Sequence, residues 1–355
     1  SDRPDGDFVL SDYLNNLGNA LYMLGRYEEA IEQHRRALTL REHHLGDAHP
    51  FVGDSHGNLG AASFNLGRYD DAIEHHGKAL EIARASTGER SHDAAIVHNN
   101  LGGVLHAVHR HEQAIEQYQA ALAIWAELFG PDDAHVALAE NNLGNVYQSQ
   151  GRCDLALRHY GRALDLRVQT HGREHPDVAA TLNNEAICLK QVGRLDEARE
   201  RFEQALQIQE RTLGPTHPDL GHALDNLAVI LREQGRTAEA VTGHRRALEL
   251  RHAALGDDHL DVGKSRYGLG RALLEQGDAT AAIDEFERAV QIYERSGATS
   301  LDLAAARFAL ARASWSAGQR DERATSLARV ALQTYQAESR SDRAQEVSRW
   351  LDERR

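Results

Sequence analysis

The hydrophobic and polar positions of this chain fall into helix-like stretches whose pattern returns every 42 residues. "LGRYEEAIEQHRRALTL" from Leu24, "LGRYDDAIEHHGKALEI" from Leu66 and "VGRLDEARERFEQALQI" from Val192 align at that period. A glycine column runs through Gly25, Gly67, Gly151, Gly193, Gly235 and Gly277, broken only by His109, and a second through Gly46, Gly88, Gly130, Gly172, Gly214 and Gly256. Two glycines per period mark two chain reversals, so each period predicts two helices. The first is exemplified by residues 52–66 and the second, longer one by residues 69–87. Apart from Pro4, every proline lies between repeats, where it removes no helical hydrogen bond.

The columns also predict how the helices start and pack. The column of His49 continues as Ser91, Asp133, His175, His217 and His259. Ser and Asp are standard helix N-caps, so these histidines read as helix starts, with proline suited to the position that follows. Ala30 and Ala37 recur as alanine in every unit through Ala282 and Ala289, and Gly18, Gly60, Gly102, Gly144, Ala186, Ala228 and Gly270 form a third small column. Small side chains at these spacings let helices approach closely, with Leu17, Leu38 and their equivalents filling the gaps. The tail "SDRAQEVSRWLDERR" sets Ala344, Val347, Trp350 and Leu351 on one helical stripe with charges elsewhere. It predicts a cap for the last apolar face.

Small residues at the eighth, twentieth and twenty-seventh places, with a ring at the twenty-fourth, resemble the tetratricopeptide repeat. The 42-residue period, "LGPTHPDL" between units and "NNLG" opening the next resemble its kinesin light chain type. The resemblance implies an all-α, right-handed α-α superhelix. Residues 1–10 are expected as an N-terminal flank, 11–297 as seven helix-turn-helix units, 298–339 as a degenerate eighth repeat, and 340–355 as the capping helix. The ring column departs in part: His34, His76 and His244 stand beside Tyr118, Tyr160, Phe202 and Phe286, and His56 and His98 occupy a normally apolar fourth place.

In repeats of this type the first helices line the concave wall. Counting Ser11 as place one, the sixth place holds Asn16, Asn58, Asn100, Asn142, Asn184 and Asn226, and the fifth holds Asn99, Asn141 and Asn183 among others. Asparagine is a mediocre helix former, so a ladder of it inside helices calls for a reason. Its amide donates and accepts, and so can pair with the backbone of an extended ligand without selecting side chains. The competing reading is that the amides bridge neighbouring helices and keep the superhelix in register. Lys190, Arg232, Lys264 and Arg271 fall on inner places of units five to seven and give that wall a basic character, whereas Asp12 and Asp54 lie near the N-terminal mouth. Asn183, Asn226 and Lys264 match three places of the carboxylate-clamp subfamily. Ile187 and Gly268 leave the clamp incomplete.

Composition narrows the function. The chain has 355 residues, with 40 Lys plus Arg against 54 Asp plus Glu, for a formal charge of −14. That excludes a general nucleic-acid or anionic-membrane surface, and no apolar run is long enough to span a bilayer. Two cysteines, Cys153 and Cys188, give no disulfide framework and fit a reducing, cytoplasmic compartment. The 21 histidines invite a metal reading, but most belong to the cap and ring columns. No metal, cofactor, phosphate loop or nucleophile motif is expected. The opening "SDRPDGDF" suggests a piece of a longer protein. The expected function is a scaffold binding an extended, acidic peptide or partner segment in its groove. The alternative is a sensory or regulatory arm of a larger signalling enzyme, because "ARFALARASWSAGQR" resembles repeats appended to bacterial serine/threonine kinases. Self-association is a third expectation, from the apolar Phe8, Val9 and Leu10.

Overall fold

The computed structural model describes residues 4–319 and 322–354, which form seventeen α-helices and no strand. The chain divides into two compact units. Unit one, Ser1–Arg173, contains α1 (Pro4–Met23), α2 (Tyr27–Leu45), α3 (Pro50–Asn65), α4 (Tyr69–Ser86), α5 (His92–Ala107), α6 (His111–Phe129), α7 (Ala134–Ser149) and α8 (Cys153–His171). Unit two, Glu174–Arg355, contains α9 (Pro176–Gln191), α10 (Leu195–Leu213), α11 (Leu220–Glu233), α12 (Thr237–Leu255), α13 (Leu260–Gln276), α14 (Ala279–Arg295), α15 (Ser300–Ser316), α16 (Glu322–Ala337) and α17 (Ser341–Asp352). Within each unit every helix packs on the next, and first helices also touch one another: α1, α3, α5 and α7 in succession in unit one, and α11, α13 and α15 in unit two. Each unit is thus a stack of helix hairpins. None of the described helices is long and apolar enough to cross a membrane.

Local chemistry sets the helix ends. The Nδ1 atoms of His49, His175 and His259 accept from backbone N–H groups two residues on at 3.2 Å and cap their helices, as Ser91 and Asp133 do in the same column. His217 makes the same bond to Asp219 at 3.3 Å but does not start its helix, because α11 begins only at Leu220 with Asp219 as its N-cap. Most turns between paired helices place glycine at positive φ, and His109 stands in that column with φ 59°, a conformation that carries a steric cost for a side chain. The N-terminal flank is helical from Pro4 onward, so residues 4–10 extend the first helix rather than precede it. Proline at the first helical position loses no bond there.

The small columns mark close approach. A Cβ on Gly144 would stand 2.5 Å from the Tyr160 ring, which is fully buried, so only glycine fits against it. The alanine columns, from Ala30 and Ala37 onward, are likewise solvent-free. Both cysteines are buried and unpaired by disulfide.

At the C-terminal edge α17 closes the last apolar face. Val347 is solvent-free, and the Trp350 ring meets Phe308 and Trp315 edge-on at 5.8 and 5.7 Å. Deleting residues 341–355 is expected to lower the melting temperature and promote aggregation, because Phe308 and Trp315 would face water. Light scattering during a thermal ramp reads both. Unchanged melting and solubility would show that the tail is no cap.

Candidate functional site

In unit one the asparagine ladder links successive first helices. Asn58 donates from Nδ2 to Oδ1 of Asn15 at 2.9 Å, and Asn142 donates to Asn99 at 2.8 Å. Each bond joins residues 43 apart: the sixth place of one hairpin reaches the fifth of the hairpin before it. A second ladder joins the twelfth place to the thirteenth of the next hairpin. There Asn65 donates to Tyr22 at 2.9 Å, and His106 meets Ser149 at 2.8 Å. The bridging amides of Asn58 and Asn142 each have a second N–H and carbonyl lone pairs beyond these bonds, whereas Asn65 also donates to the Ala61 carbonyl at 3.0 Å. Asn16 and Asn100 are exposed, whereas Asn141 is buried and accepts from the buried Arg167 at 3.4 Å. A cavity of about 330 Å³ lies on this face, lined by Asn15, Asp54, Asn58, Asp93, Ile96 and Asn100. Burial pushes the Asp54 carboxyl above the usual carboxylate range, opposed by the charge of Arg41.

In unit two the expected inner-wall cations are unequal. Arg232 is nearly buried, its side chain 9% exposed, and it is held by Glu275 with Glu233 at 3.8 Å. Lys190 lies 3.7 Å from Glu233. Arg232 is therefore no free groove cation, because the twelfth-to-thirteenth ladder places a glutamate one hairpin away. Lys264 is half exposed and meets Asp261 at 3.1 Å, while Arg271 lies over the Tyr267 ring at 5.9 Å. Asn226, Arg232, Lys264 and Arg271 do converge: they line one cavity of about 250 Å³, together with Tyr267 and Asp225. Oδ1 of Asn183 is buried without a partner, and Asn184, also half-buried, is engaged within the protein.

Three departures visible in the sequence have reasons that only the structure gives. The fifth place of this unit carries Asp225, not asparagine, because Arg251 is buried beside it and needs a counter-charge. Gly268 breaks the ladder because the His244 ring fills its place, 2.6 Å from where a Cβ would stand. The odd fourth-place residues pair with the second helix nineteen residues on: His56 with His75 at 3.0 Å, His98 with Gln117 at 2.7 Å, Glu140 with His159 at 2.6 Å and Arg266 with Glu285 at 2.9 Å. The complementary types at that offset were the available signal.

A family model described as "Tetratricopeptide repeat" matches residues 10–85, 51–127, 93–167, 135–211, 177–251 and 223–295 in overlapping stretches. Among solved structures the chain is similar to BtubC (BKLC) from P. vanneervenii, at 22% identity and TM-score 0.57 over 64% of this chain and 91% of that one. It is similar to a putative kinesin light chain with nearly identical TPR-like repeats from Podosopora anserina, at 22% identity and TM-score 0.52 over 58% and 97%. It is also similar to the apo form of the quorum sensor NprR from B. thuringiensis, at 16% identity and TM-score 0.68 over 92% and 88%. At these identities the likeness is one of fold. No curated protein matches the chain.

Proposed function

Since the chain belongs to the tetratricopeptide repeat family, matched from residue 10 to 295, we propose that it is a protein-interaction module whose first-helix faces hold an extended segment of a partner protein. The observation that carries this is the pair of cavities on those faces, one lined by Asn15, Asn58 and Asn100 and the other by Asn226. In unit two, cations outnumber carboxylates around the cavity, and Arg271 has an aromatic ring rather than an acid as its neighbour. A surplus of positive charge on a protein of net −14 favours an acidic segment there. The buried, unbridged cysteines support a reducing, cytoplasmic setting. Fold alone assigns no reaction, and the first-helix faces carry the features of recognition rather than of catalysis.

The test is anisotropy with short acidic, neutral and basic peptides. Acidic peptides should bind most tightly, and Lys264→Glu with Arg271→Glu should weaken them roughly tenfold, about 1.4 kcal/mol. The loss should grow at low salt, where exposed charges are least screened. Arg232→Glu is not a clean probe, because it would set a carboxylate against Glu275. Asn58→Ala and Asn142→Ala should each weaken acidic and neutral peptides alike by about 0.5–1.5 kcal/mol per lost hydrogen bond. Lower stability with unchanged peptide binding would assign the ladder to helix register alone. Equal binding of acidic and basic peptides would remove the proposed charge preference.

A regulatory arm of a larger signalling enzyme, such as a bacterial serine/threonine kinase, would use the same faces. Its support is the resemblance of residues 306–320 to kinase-appended repeats, and the length of the full gene decides it.

A further inference from the structure

In the last hairpins of unit two the ladder amides give way to rings and guanidiniums. Tyr267 and Arg271 of α13 recur as Phe308 and Arg312 of α15, four residues apart in each helix. Each guanidinium lies over its own ring, 5.9 Å from the centroid in both cases. A ring at that spacing holds the cation without neutralising it, so the N–H donors stay available. Arg271 has no carboxylate within ion-pair distance among the described residues, and Arg312 has only Glu346, at 3.9 Å. With Arg343 of α17 they surround a cavity of about 330 Å³. Tyr335 of α16 also lines it. That side chain is 5% exposed, and its hydroxyl makes no hydrogen bond among the described residues. The groups that act on this hydroxyl electrostatically include Tyr267, Arg343 and Glu346, all lining the same cavity, which puts the oxygen at its wall. Burial raises the Tyr335 pKa, so the phenol keeps its proton and offers a donor. Buried tyrosine hydroxyls ordinarily have a partner, and this one has the cavity.

The charge balance says what fits. Two carboxylates line the cavity, Glu275 and Glu346, and Glu275 is already neutralised by Arg232. Arg271, Arg312 and Arg343 therefore face one carboxylate, Glu346, which leaves a surplus of two positive charges. A carboxylate ligand would cancel half of that. A phosphoryl group carries about −1.5 to −2 at pH 7 and presents several oxygens to guanidinium forks. The adjoining opening at the start of α17 has no such surplus, because Asp302 and Asp342 line it beside Arg340 and Arg343. Tyr267 and Arg271 also line the cavity of Asn226 and Lys264, so a segment lying there is within reach of this one.

We infer, resting on the peptide groove proposed above, that this cavity receives a phosphoryl group carried by the same partner segment, held by Arg271, Arg312 and Arg343 with a hydrogen bond donated by Tyr335. Calorimetry with three acidic peptides, identical except for a serine, glutamate or phosphoserine at one position, reads it. The phosphoserine peptide should bind roughly tenfold to a hundredfold more tightly than the serine peptide, and glutamate should recover only a small part of that gain. Arg312→Gln with Arg343→Gln should erase the gain and leave the serine peptide's affinity unchanged. Both side chains are at least half exposed, at 51% and 66%, and neither lines the cavity of Asn226, so fold and groove should survive. Tyr335→Phe keeps the ring packing and should remove part of the gain. Lys264→Glu should weaken all three peptides and leave the gain in place. Inorganic phosphate alone should bind far more weakly than the phosphopeptide. Equal affinity of the serine and phosphoserine peptides, or a gain that survives both glutamine substitutions, would overturn the phosphoryl site while the groove stood. Inorganic phosphate binding as tightly as the phosphopeptide would make the occupant a free anion and overturn its assignment to a partner segment. Binding of none of the three peptides would overturn site and groove together.

Discussion

Lowering the pH from 7 to 5 will destabilise unit one far more than its surface charge would suggest. His34 and His76 take the ring place of their hairpins, each 1% exposed, against Gly18 and Gly60. Their Nδ1 atoms are buried without a partner, and no carboxylate pairs with either ring. Burial, reinforced by Arg41, lowers the His34 pKa to about 4, and burial with the neighbouring His75 lowers that of His76 to about 4. Burial lowers His56 to about 4 as well, with His75 and Lys78 adding to it, and it also lowers His75 and His98. A base whose folded pKa lies below its unfolded value of 6.5 favours folding fully only above 6.5. Its contribution is lost as the pH falls from 6.5 toward 4. At pH 5 each fully buried ring then costs about 2 kcal/mol relative to neutral pH. Several coupled rings should lower the melting point of unit one well before any carboxylate titrates.

Hydrogen exchange at pH 7 and 5 should show α1–α4 losing protection first. His34→Phe with His76→Phe should flatten the pH dependence, since Phe286 fills the same place against Gly270. Identical acid sensitivity in the double variant would move the cause elsewhere.

The legible part of this protein was its repetition. The helix pairs and the N-caps at His49, His175 and His259 follow from the repeating columns, because those residues act through local geometry that one period reveals, and the closing helix follows from the apolar stripe of the tail. The ladder was visible but its bonding was not. Asn58 and Asn15 stand 43 residues apart, one more than the period, so the contact runs between columns and not within one. Arg232 looked like a free groove cation for the same reason: its counter-ion, Glu275, is 43 residues on. Column reading assigns a residue to a wall. It does not assign the neighbour across the hairpin junction, which depends on how far successive first helices are offset. The start of α1 at Pro4 was also not legible, because "PDGDF" contains poor helix formers.

Replacing Asp225 with alanine should be among the most destabilising single changes available in unit two. Its carboxylate accepts from Arg251, from Ser265 Oγ at 2.8 Å and meets His244 Nδ1 at 2.7 Å. Arg251 is 3% exposed and also reaches His222 at 3.0 Å and the Asp261 carbonyl at 3.3 Å. Removing the aspartate leaves a buried guanidinium without a counter-charge and a buried imidazole without its acceptor. Breaking one side of such a pair costs about 3–5 kcal/mol. Asp225→Asn preserves the shape and part of the hydrogen bonding, so it should cost less, about 1–3 kcal/mol. Adding Arg251→Met to Asp225→Ala should recover stability, because the orphaned charge goes with it. Urea melts of the three variants give the ordering: alanine worst, asparagine intermediate, and the double variant above the single alanine. The same melts test the origin of the ladder's irregularity. If Asp225→Ala proves as mild as Asn226→Ala, the aspartate is a groove residue like its neighbour. The large loss expected instead would mean that the fifth place in this hairpin answers to Arg251 and His244, leaving Asn226, Lys264 and Arg271 to face the partner.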